Sequence, residues 1–147
     1  MSDVSMLLGS EEYLAEAKKR INEDEEYGEL AKNVNDSYLL VFLPEADKGI
    51  KEKLVVGFTI VNGKMPDIWT GEKETTFILS ANYGAFVDIL TGKLNVNRAF
   101  ISRKLKVKGS LPRLLKTSKA TERLVEVLRG IPTEFTGDYS ERSISKT

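Results

Sequence analysis

The 147-residue sequence contains no cysteine and no histidine. These two absences exclude disulfide bonds, thiol nucleophiles, Cys/His zinc sites and every catalytic scheme that depends on an imidazole, including the Ser-His-Asp triad. Carboxylates remain as acid–base groups. The nearest candidates for a carboxylate-only catalyst are Asp67, Glu72, Glu74 and Asp88. No motif spaces these four residues, and we therefore expect no catalytic residue, no bound metal and no cofactor.

Long apolar segments are absent as well. The longest continuous apolar runs, residues 38–44 and 54–61, are far shorter than the roughly 20 residues of a membrane-spanning helix. Residues 1–10 lack the basic start and the apolar stretch of a signal peptide. The lack of cysteine is compatible with a reducing compartment. We therefore expect a soluble, cytoplasmic protein.

The formal net charge is zero, but the two signs are segregated along the chain. Residues 1–30 carry nine acidic and three basic side chains, whereas residues 93–129 carry eleven basic and two acidic side chains. A basic segment of this density attracts phosphate, carboxylate or an anionic membrane surface, although a solvated face explains it equally well. Aromatic residues are not interleaved with these bases and the pI is about 6.4, so we expect no nucleic-acid partner.

The first half of the chain predicts one helix followed by strands. Apolar spacing indicates an acidic amphipathic helix over about 10–33, with Ser10 as its N-cap. Four strands are predicted at 38–43, 54–61, 64–70 and 74–80, and the first two are apolar on both faces. Residues 62–63 (Asn-Gly) indicate a hairpin turn. Sequential antiparallel connections through all four strands predict a meander.

The second half is mainly helical. A helix is predicted from Asn82 to Gly92, and a second short one begins at Asn95. Residues 104–108 alternate lysine with apolar residues and predict a fifth strand, followed by a leucine-rich helical region over 110–130. The tail, about 136–147, is polar and is expected to be loose. With no repeat and no linker, the prediction is one α+β domain over 1–147, with a mainly antiparallel five-stranded sheet and helices on one side.

Three short motifs in this half carry a family resemblance: residues 92–94 (Gly-Lys-Leu), 99–100 (Ala-Phe) and 104–109 (Lys-Leu-Lys-Val-Lys-Gly). Their order and spacing resemble the signature of the type-two sterol carrier protein family of lipid-binding domains, with a short helix before and a leucine-rich helix after. The resemblance covers roughly residues 10–130 and indicates a stand-alone single-domain member. The sequence departs from the family at Arg103, where a glycine usually precedes the Lys-Leu-Lys.

The resemblance implies an apolar tunnel between helices and sheet that takes a sterol, fatty acid, fatty acyl-CoA or isoprenoid lipid without covalent chemistry. Ordinary core packing explains each apolar residue taken singly. As a set, the residues expected to line the tunnel are Phe42, Phe58, Trp69, Phe86, Leu90, Phe100, Leu111, Leu114 and Leu115. Near its mouth, Lys93, Arg103 and Lys104 are expected to contact an anionic group or a membrane surface.

Two other interpretations remain open. The chain is alternatively a non-catalytic accessory or dimerisation domain whose pocket is filled by a partner or by its own C-terminal segment. A homodimer is compatible with either interpretation. An enzyme that uses the carboxylates named above is the third.

Overall fold

The computed structural model describes residues 5–144, so the outermost residues of the predicted 1–147 domain lie outside the described part. Two 3₁₀ helices, Ala46–Lys48 and Gly137–Arg142, accompany the regular elements. In chain order the regular elements are β1 (Met6–Leu7), α1 (Glu11–Glu23), α2 (Glu25–Leu30), β2 (Asn35–Leu43), β3 (Leu54–Val61), β4 (Lys64–Thr70), β5 (Phe77–Asn82), α3 (Tyr83–Leu90), α4 (Val96–Ile101), β6 (Lys106–Lys108), α5 (Leu111–Lys116), α6 (Ser118–Arg129) and β7 (Thr133–Glu134). No helix within residues 5–144 is long and apolar enough to cross a membrane.

The acidic N-terminal helix is broken in two at Asp24. This residue leaves the helical conformation, with φ −83° and ψ 109°, and its carboxylate accepts the Tyr27 backbone N–H at 2.8 Å. Aspartate is a favoured N-cap because its oxygen satisfies an otherwise unpaired amide of the first turn. Asp24 therefore ends α1 and starts α2, where the sequence predicts one continuous helix.

The five-stranded sheet has the order β4-β3-β2-β5-β6. Its pairs are antiparallel except for β2 with β5, which confirms the mainly antiparallel α+β prediction. The predicted meander is wrong, because β5 crosses to the far edge of β2 and pairs with it in parallel, with Tyr38 opposite Phe77. Two features of the strands are compatible with this order. Pro66 lacks the N–H that a further neighbour of β4 would need, and β5 is apolar enough for an interior place.

The two faces of the sheet differ. The face that packs against the helices, which we call the inner face, carries Tyr38, Phe42 and Phe58, whereas the outer face carries Leu39 and Trp69. Trp69 lies over the glycine opposite it on β3, and the Lys73 Nζ lies 4.3 Å from the indole centroid. The outer face is therefore covered by side chains of its own sheet rather than by a second layer of helices.

The C-terminal segment is attached to the domain rather than loose. Residues 137–142 form a 3₁₀ helix in which the Tyr139 hydroxyl donates to the Glu45 carboxylate at 3.1 Å. Arg142 forms an ion pair with Asp88 at 2.8 Å, and Ile144 exchanges backbone hydrogen bonds with Thr133. The polar side chains from which a loose tail is predicted form these contacts instead. Residues 145–147 of the predicted tail lie outside the described residues.

We predict that Arg103→Gly stabilises the protein. Arg103 has φ +64°, a left-handed conformation that costs a residue with a Cβ about 1–2 kcal/mol. Glycine removes this cost but loses about 0.5–1 kcal/mol of chain entropy on folding, so the expected gain in the free energy of unfolding is between about 0 and 1.5 kcal/mol. Urea unfolding measures it. The neighbouring Lys104→Gly is the control and should give no gain in stability. If Arg103→Gly stabilises the protein no more than Lys104→Gly does, the prediction is contradicted.

Candidate functional site

A pocket of about 120 Å³ lies between the inner face of the sheet and the helices. Strands β2 and β3 form its floor, and α1, α3, α4 and α6 form its walls. Among residues 5–144, no charged residue lines it. Six residues that the sequence predicts as lining lie there: Phe42, Phe58, Phe86, Leu90, Phe100 and Leu114.

Aromatic stacking fixes the position of α3 against the sheet. The rings of Phe42 on β2 and Phe86 on α3 are stacked with centroids 4.0 Å apart. On the same face, Tyr38 stacks between Phe58, at 4.8 Å, and Phe77, at 5.5 Å. Because large rings on neighbouring strands and on α3 stack against one another, the pocket has a rigid aromatic floor.

Three residues predicted to line the pocket lie elsewhere. Trp69 pairs with Gly57 and so points to the outer face, whereas its neighbour Ile68 points inward and lines the pocket. Leu111 and Leu115 of α5 are partly buried and pack against the core outside the pocket, and only Leu114 between them lines it. A shift of one residue along a strand moves a side chain to the opposite face of the sheet. Composition does not reveal which residues of the strand point inward.

The sequence interpretation missed most of the wall that α1 and α6 provide. Tyr13, Ala17 and Ile21 recur every four residues along α1 and line the pocket. Ala120, Leu124 and Leu128 of α6 also recur every four residues and line the pocket. The spacing of four residues was the signal available in the sequence, because residues four apart share one face of a helix.

A second, polar cleft of about 370 Å³ lies between α2, α4 and α6. Val96 and Val125 line both this cleft and the apolar pocket, so their side chains form the wall between the two spaces. The cations that border the cleft are Lys119, Arg123 and Arg129. Lys93, Arg103 and Lys104, which the sequence places near the mouth, border neither space.

An ion-pair cluster joins α6 to the break between α1 and α2. Arg123 donates to both Asp24 carboxylate oxygens, from Nε at 2.9 Å and from Nη2 at 2.7 Å. These hydrogen bonds hold the pKa of Asp24 below its usual range. Such two-point contacts between guanidinium and carboxylate are among the stronger protein hydrogen bonds. The cluster therefore holds the pocket wall at α6 against α2.

The lowered pKa of Asp24 predicts an acid-dependent contribution to stability. The ionised carboxylate stabilises the folded state fully above the unfolded pKa, about 4, and this contribution is lost as the pH falls through the lower folded pKa. Asp24→Asn keeps a capping side chain but loses the charge. We expect urea unfolding to show the variant less stable than wild type at pH 7 and the difference to shrink below pH 4. The exposed Glu25→Gln is the control; an Asp24→Asn deficit that persists at pH 2 would contradict the argument.

The candidate catalytic carboxylates do not assemble into a site. Glu72 pairs with Lys53 at 2.7 Å, and Asp88 pairs with Arg142 on the C-terminal segment. None of the four, including Asp67 and Glu74, lines the pocket. Within residues 5–144, no group of three or more acidic side chains is arranged to hold a metal ion. The C-terminal segment also contributes no side chain to the pocket lining in this part of the chain.

The fold and the pocket together define an α+β domain in which a layer of helices encloses an apolar space on one face of a mainly antiparallel sheet. The sequence model of the SCP-2 sterol transfer family matches residues 14–122, well over half of the chain. The protein therefore belongs to the SCP-2 sterol transfer family, and the resemblance of its motifs is confirmed. Membership supports lipid binding or transfer as the general class of function.

Solved structures share this fold. A crystal structure of sterol carrier protein 2 is 24% identical, with a TM-score of 0.76, and the match covers 84% of this chain and 98% of that one. A conserved hypothetical protein from Thermus thermophilus, described as a possible sterol carrier protein, is 25% identical with a TM-score of 0.77, covering 87% and 92%. Sterol carrier protein 2 from Yarrowia lipolytica in its apo form is 20% identical with a TM-score of 0.56, covering 88% and 98%. No curated protein matches the chain.

Proposed function

We propose that the protein binds or transfers a hydrophobic ligand in the apolar pocket without covalent chemistry. The candidate ligands are a fatty acid, a fatty acyl-CoA, a sterol and an isoprenoid lipid. The observation that carries the proposal is the lining itself, to which residues 5–144 contribute no charged side chain and which lies between two layers of the fold. A concave, mostly apolar space with few polar groups is the usual form of a small-molecule site.

The hydrophobic effect is large enough for this role. The fourteen methylenes of a 16-carbon acid contribute about 11 kcal/mol when buried, at roughly 0.8 kcal/mol each. Immobilising the ligand costs at least about 4 kcal/mol, which leaves binding in the micromolar range. The 120 Å³ of free space corresponds to the volume of about four water molecules, so a chain of this length requires lining side chains to move. Met65, with its flexible thioether, lies in the lining and is suited to such movement.

The predicted contacts outside the pocket belong to the same proposal. The side chains of Lys93, Arg103 and Lys104 would meet an anionic group or a membrane surface during ligand transfer. They lie away from the lining, which suits docking better than contact with a buried ligand. The proposed location is the cytoplasm, because a chain that lacks cysteine is compatible with a reducing compartment.

Native mass spectrometry of the protein purified from its expression host, followed by organic extraction, tests the proposal. A single pocket predicts about one acyl or isoprenoid lipid per chain. Delipidated protein should then enhance the emission of a fluorescent fatty acid in a saturable way, and unlabelled palmitate should reverse the enhancement. A lipid-free chain that also leaves the probe unchanged would refute the proposed function.

A further inference from the structure

Residues 89–121 combine nine basic side chains with no acidic one. Within the described residues 5–144, Arg113 is the only one of these nine that forms an ion pair, and its partner is Asp36. The acidic residue that directly precedes the segment, Asp88, pairs with Arg142 of the C-terminal segment. Most of the positive charge on this part of the surface is therefore not neutralised by a bonded acidic neighbour.

Four exposed residues at the end of α4 form a compact part of this surface. Arg98 and Ile101 lie three residues apart and so share one side of the helix, while Phe100 between them is buried. Two further exposed cations follow within three residues of Ile101. We call this set the α4 ridge, and its members are Arg98, Ile101, Arg103 and Lys104.

Ile101 has 69% of its surface exposed, the highest value among the large apolar residues of 5–144. Single exposed apolar residues are common on protein surfaces, so the informative feature is its position among cations. The turn that follows is fixed by backbone hydrogen bonds. The Arg103 N–H donates to the Phe100 carbonyl at 3.2 Å, and the Leu105 N–H donates to the Ala99 carbonyl at 3.0 Å. The ridge is therefore held by an ordered turn.

Helix α4 connects the ridge to the pocket. Phe100 lines the pocket, whereas the adjacent Ile101 faces solvent. A helix with its side chains is about 10 Å across, so a partner that covers the ridge lies about one helix diameter from the pocket. The ridge residues themselves do not line the pocket. A partner bound there is close to the pocket without occupying it.

An anionic phospholipid surface fits the ridge in both charge and polarity. Each Lys or Arg held near such a surface raises the affinity about fivefold. An apolar side chain beside the cations adds to binding when it enters the boundary between head groups and acyl chains. A soluble anion offers no such apolar contact. The combination of three cations with one exposed isoleucine therefore favours a lipid surface.

We propose that the α4 ridge docks the protein on an anionic phospholipid membrane, with the Ile101 side chain inserted and the three cations in contact with phosphates. This inference rests on the proposed function, because docking brings the pocket to the membrane from which a ligand is taken or to which it is delivered. It commits the surface around Arg103 and Lys104 to one partner and adds Arg98 and Ile101 to the contact.

Co-sedimentation of the full chain with vesicles tests the inference. Wild type is expected to bind phosphatidylcholine vesicles that contain about 30% phosphatidylserine at least about tenfold more tightly than vesicles of phosphatidylcholine alone. This preference should disappear as the NaCl concentration rises from about 0.1 M to about 1 M, where the Debye length falls to about 3 Å. Equal affinity for the two kinds of vesicle at low salt would overturn the inference.

Variants of the ridge separate its charge from its apolar contact. Arg98→Gln and Lys104→Gln should each weaken binding to the anionic vesicles about fivefold. Ile101→Ala should weaken it about tenfold, because alanine lacks most of the inserted hydrocarbon. Lys19→Gln, on the acidic helix α1, is the matched control and should bind like wild type. Ridge variants that also bind like wild type would contradict the assignment.

A fluorescent label tests insertion directly. Because the chain contains no cysteine, Ile101→Cys provides a single labelling position. A polarity-sensitive dye there should shift its emission to shorter wavelength when anionic vesicles are added. The same dye at Leu7→Cys, a position on β1 that is 46% exposed, should show no shift. A shift at Leu7 alone would place the contact on another surface and overturn the inference.

Two further measurements distinguish failure of the docking from failure of the proposed function. Without vesicles, Arg98→Gln, Lys104→Gln and Ile101→Ala should keep wild-type affinity for a fluorescent fatty acid. A protein that binds the fatty acid but no anionic vesicle overturns the docking alone, whereas one that docks through the ridge but binds no fatty acid refutes the proposed function. Equal binding of polyuridylate by wild type and Ile101→Ala, with no binding to vesicles, would assign the ridge to a nucleic acid and overturn the docking as well.

Discussion

Phe100→Trp is expected to weaken binding of a long-chain ligand by about thirtyfold while the protein remains folded. Phe100 is 2% exposed and lines the pocket from α4, so the larger indole can extend into free space. An indole there displaces two or three methylenes of the ligand, which at roughly 0.8 kcal/mol each corresponds to about 2 kcal/mol. Fluorescent fatty-acid titration measures the affinity, and urea unfolding shows that the fold is retained.

Phe135→Trp is the matched control for this prediction. Phe135 is 1% exposed but does not line the pocket, so the same substitution overpacks a filled region. It should cost about 1–3 kcal/mol of stability and leave the affinity of the folded protein unchanged. If Phe100→Trp behaves like Phe135→Trp, with lost stability and unaltered affinity, the space beside Phe100 is ordinary core.

Phe135→Ala is expected to lower the free energy of unfolding by about 3–5 kcal/mol. The ring is almost fully buried just after β7, and the Phe135 backbone N–H donates to the Ser143 hydroxyl at 3.0 Å. Truncating this ring leaves a cavity where the C-terminal segment joins the core. Urea unfolding at pH 7 measures the loss.

The exposed Ile101→Ala provides the comparison, because 69% of the Ile101 surface is accessible to solvent and little free energy depends on it. A loss below about 1 kcal/mol for Phe135→Ala would mean that the segment is as loose as its composition suggests. Unchanged ligand affinity in the folded variant is also expected, because residues 133–144 contribute nothing to the pocket lining.

Local signals in the sequence were sufficient for most of the elements. Asn62 and Gly63 have φ values of 48° and 81°, the positive angles of the tight hairpin turn that the dipeptide predicts. The strand at 54–61 and the strand at 64–70 agree with the structure at both ends. Such features depend on neighbouring residues alone, so periodicity and turn chemistry identify them.

Long-range pairing could not be obtained in this way. The parallel pairing of β5 with β2 depends on which strand edge is free after β4 has formed, and no residue in the connection encodes it. The face occupied by Trp69 follows from strand register, and the contribution of α6 to the pocket follows from how α6 crosses the sheet. Phe42 and Phe86 were predictable as apolar lining candidates, but their stacking appears only in the tertiary structure.

The most direct test of the account is an NMR measurement of through-space contacts between ¹³C-labelled palmitate and the side chains of the protein. The account predicts cross-peaks from the acyl chain to the methyl groups of Leu79 and Leu114, which both line the pocket. It predicts none to Trp69 on the outer face of the sheet. Cross-peaks confined to the outer face, or no cross-peaks at saturating palmitate, would contradict it.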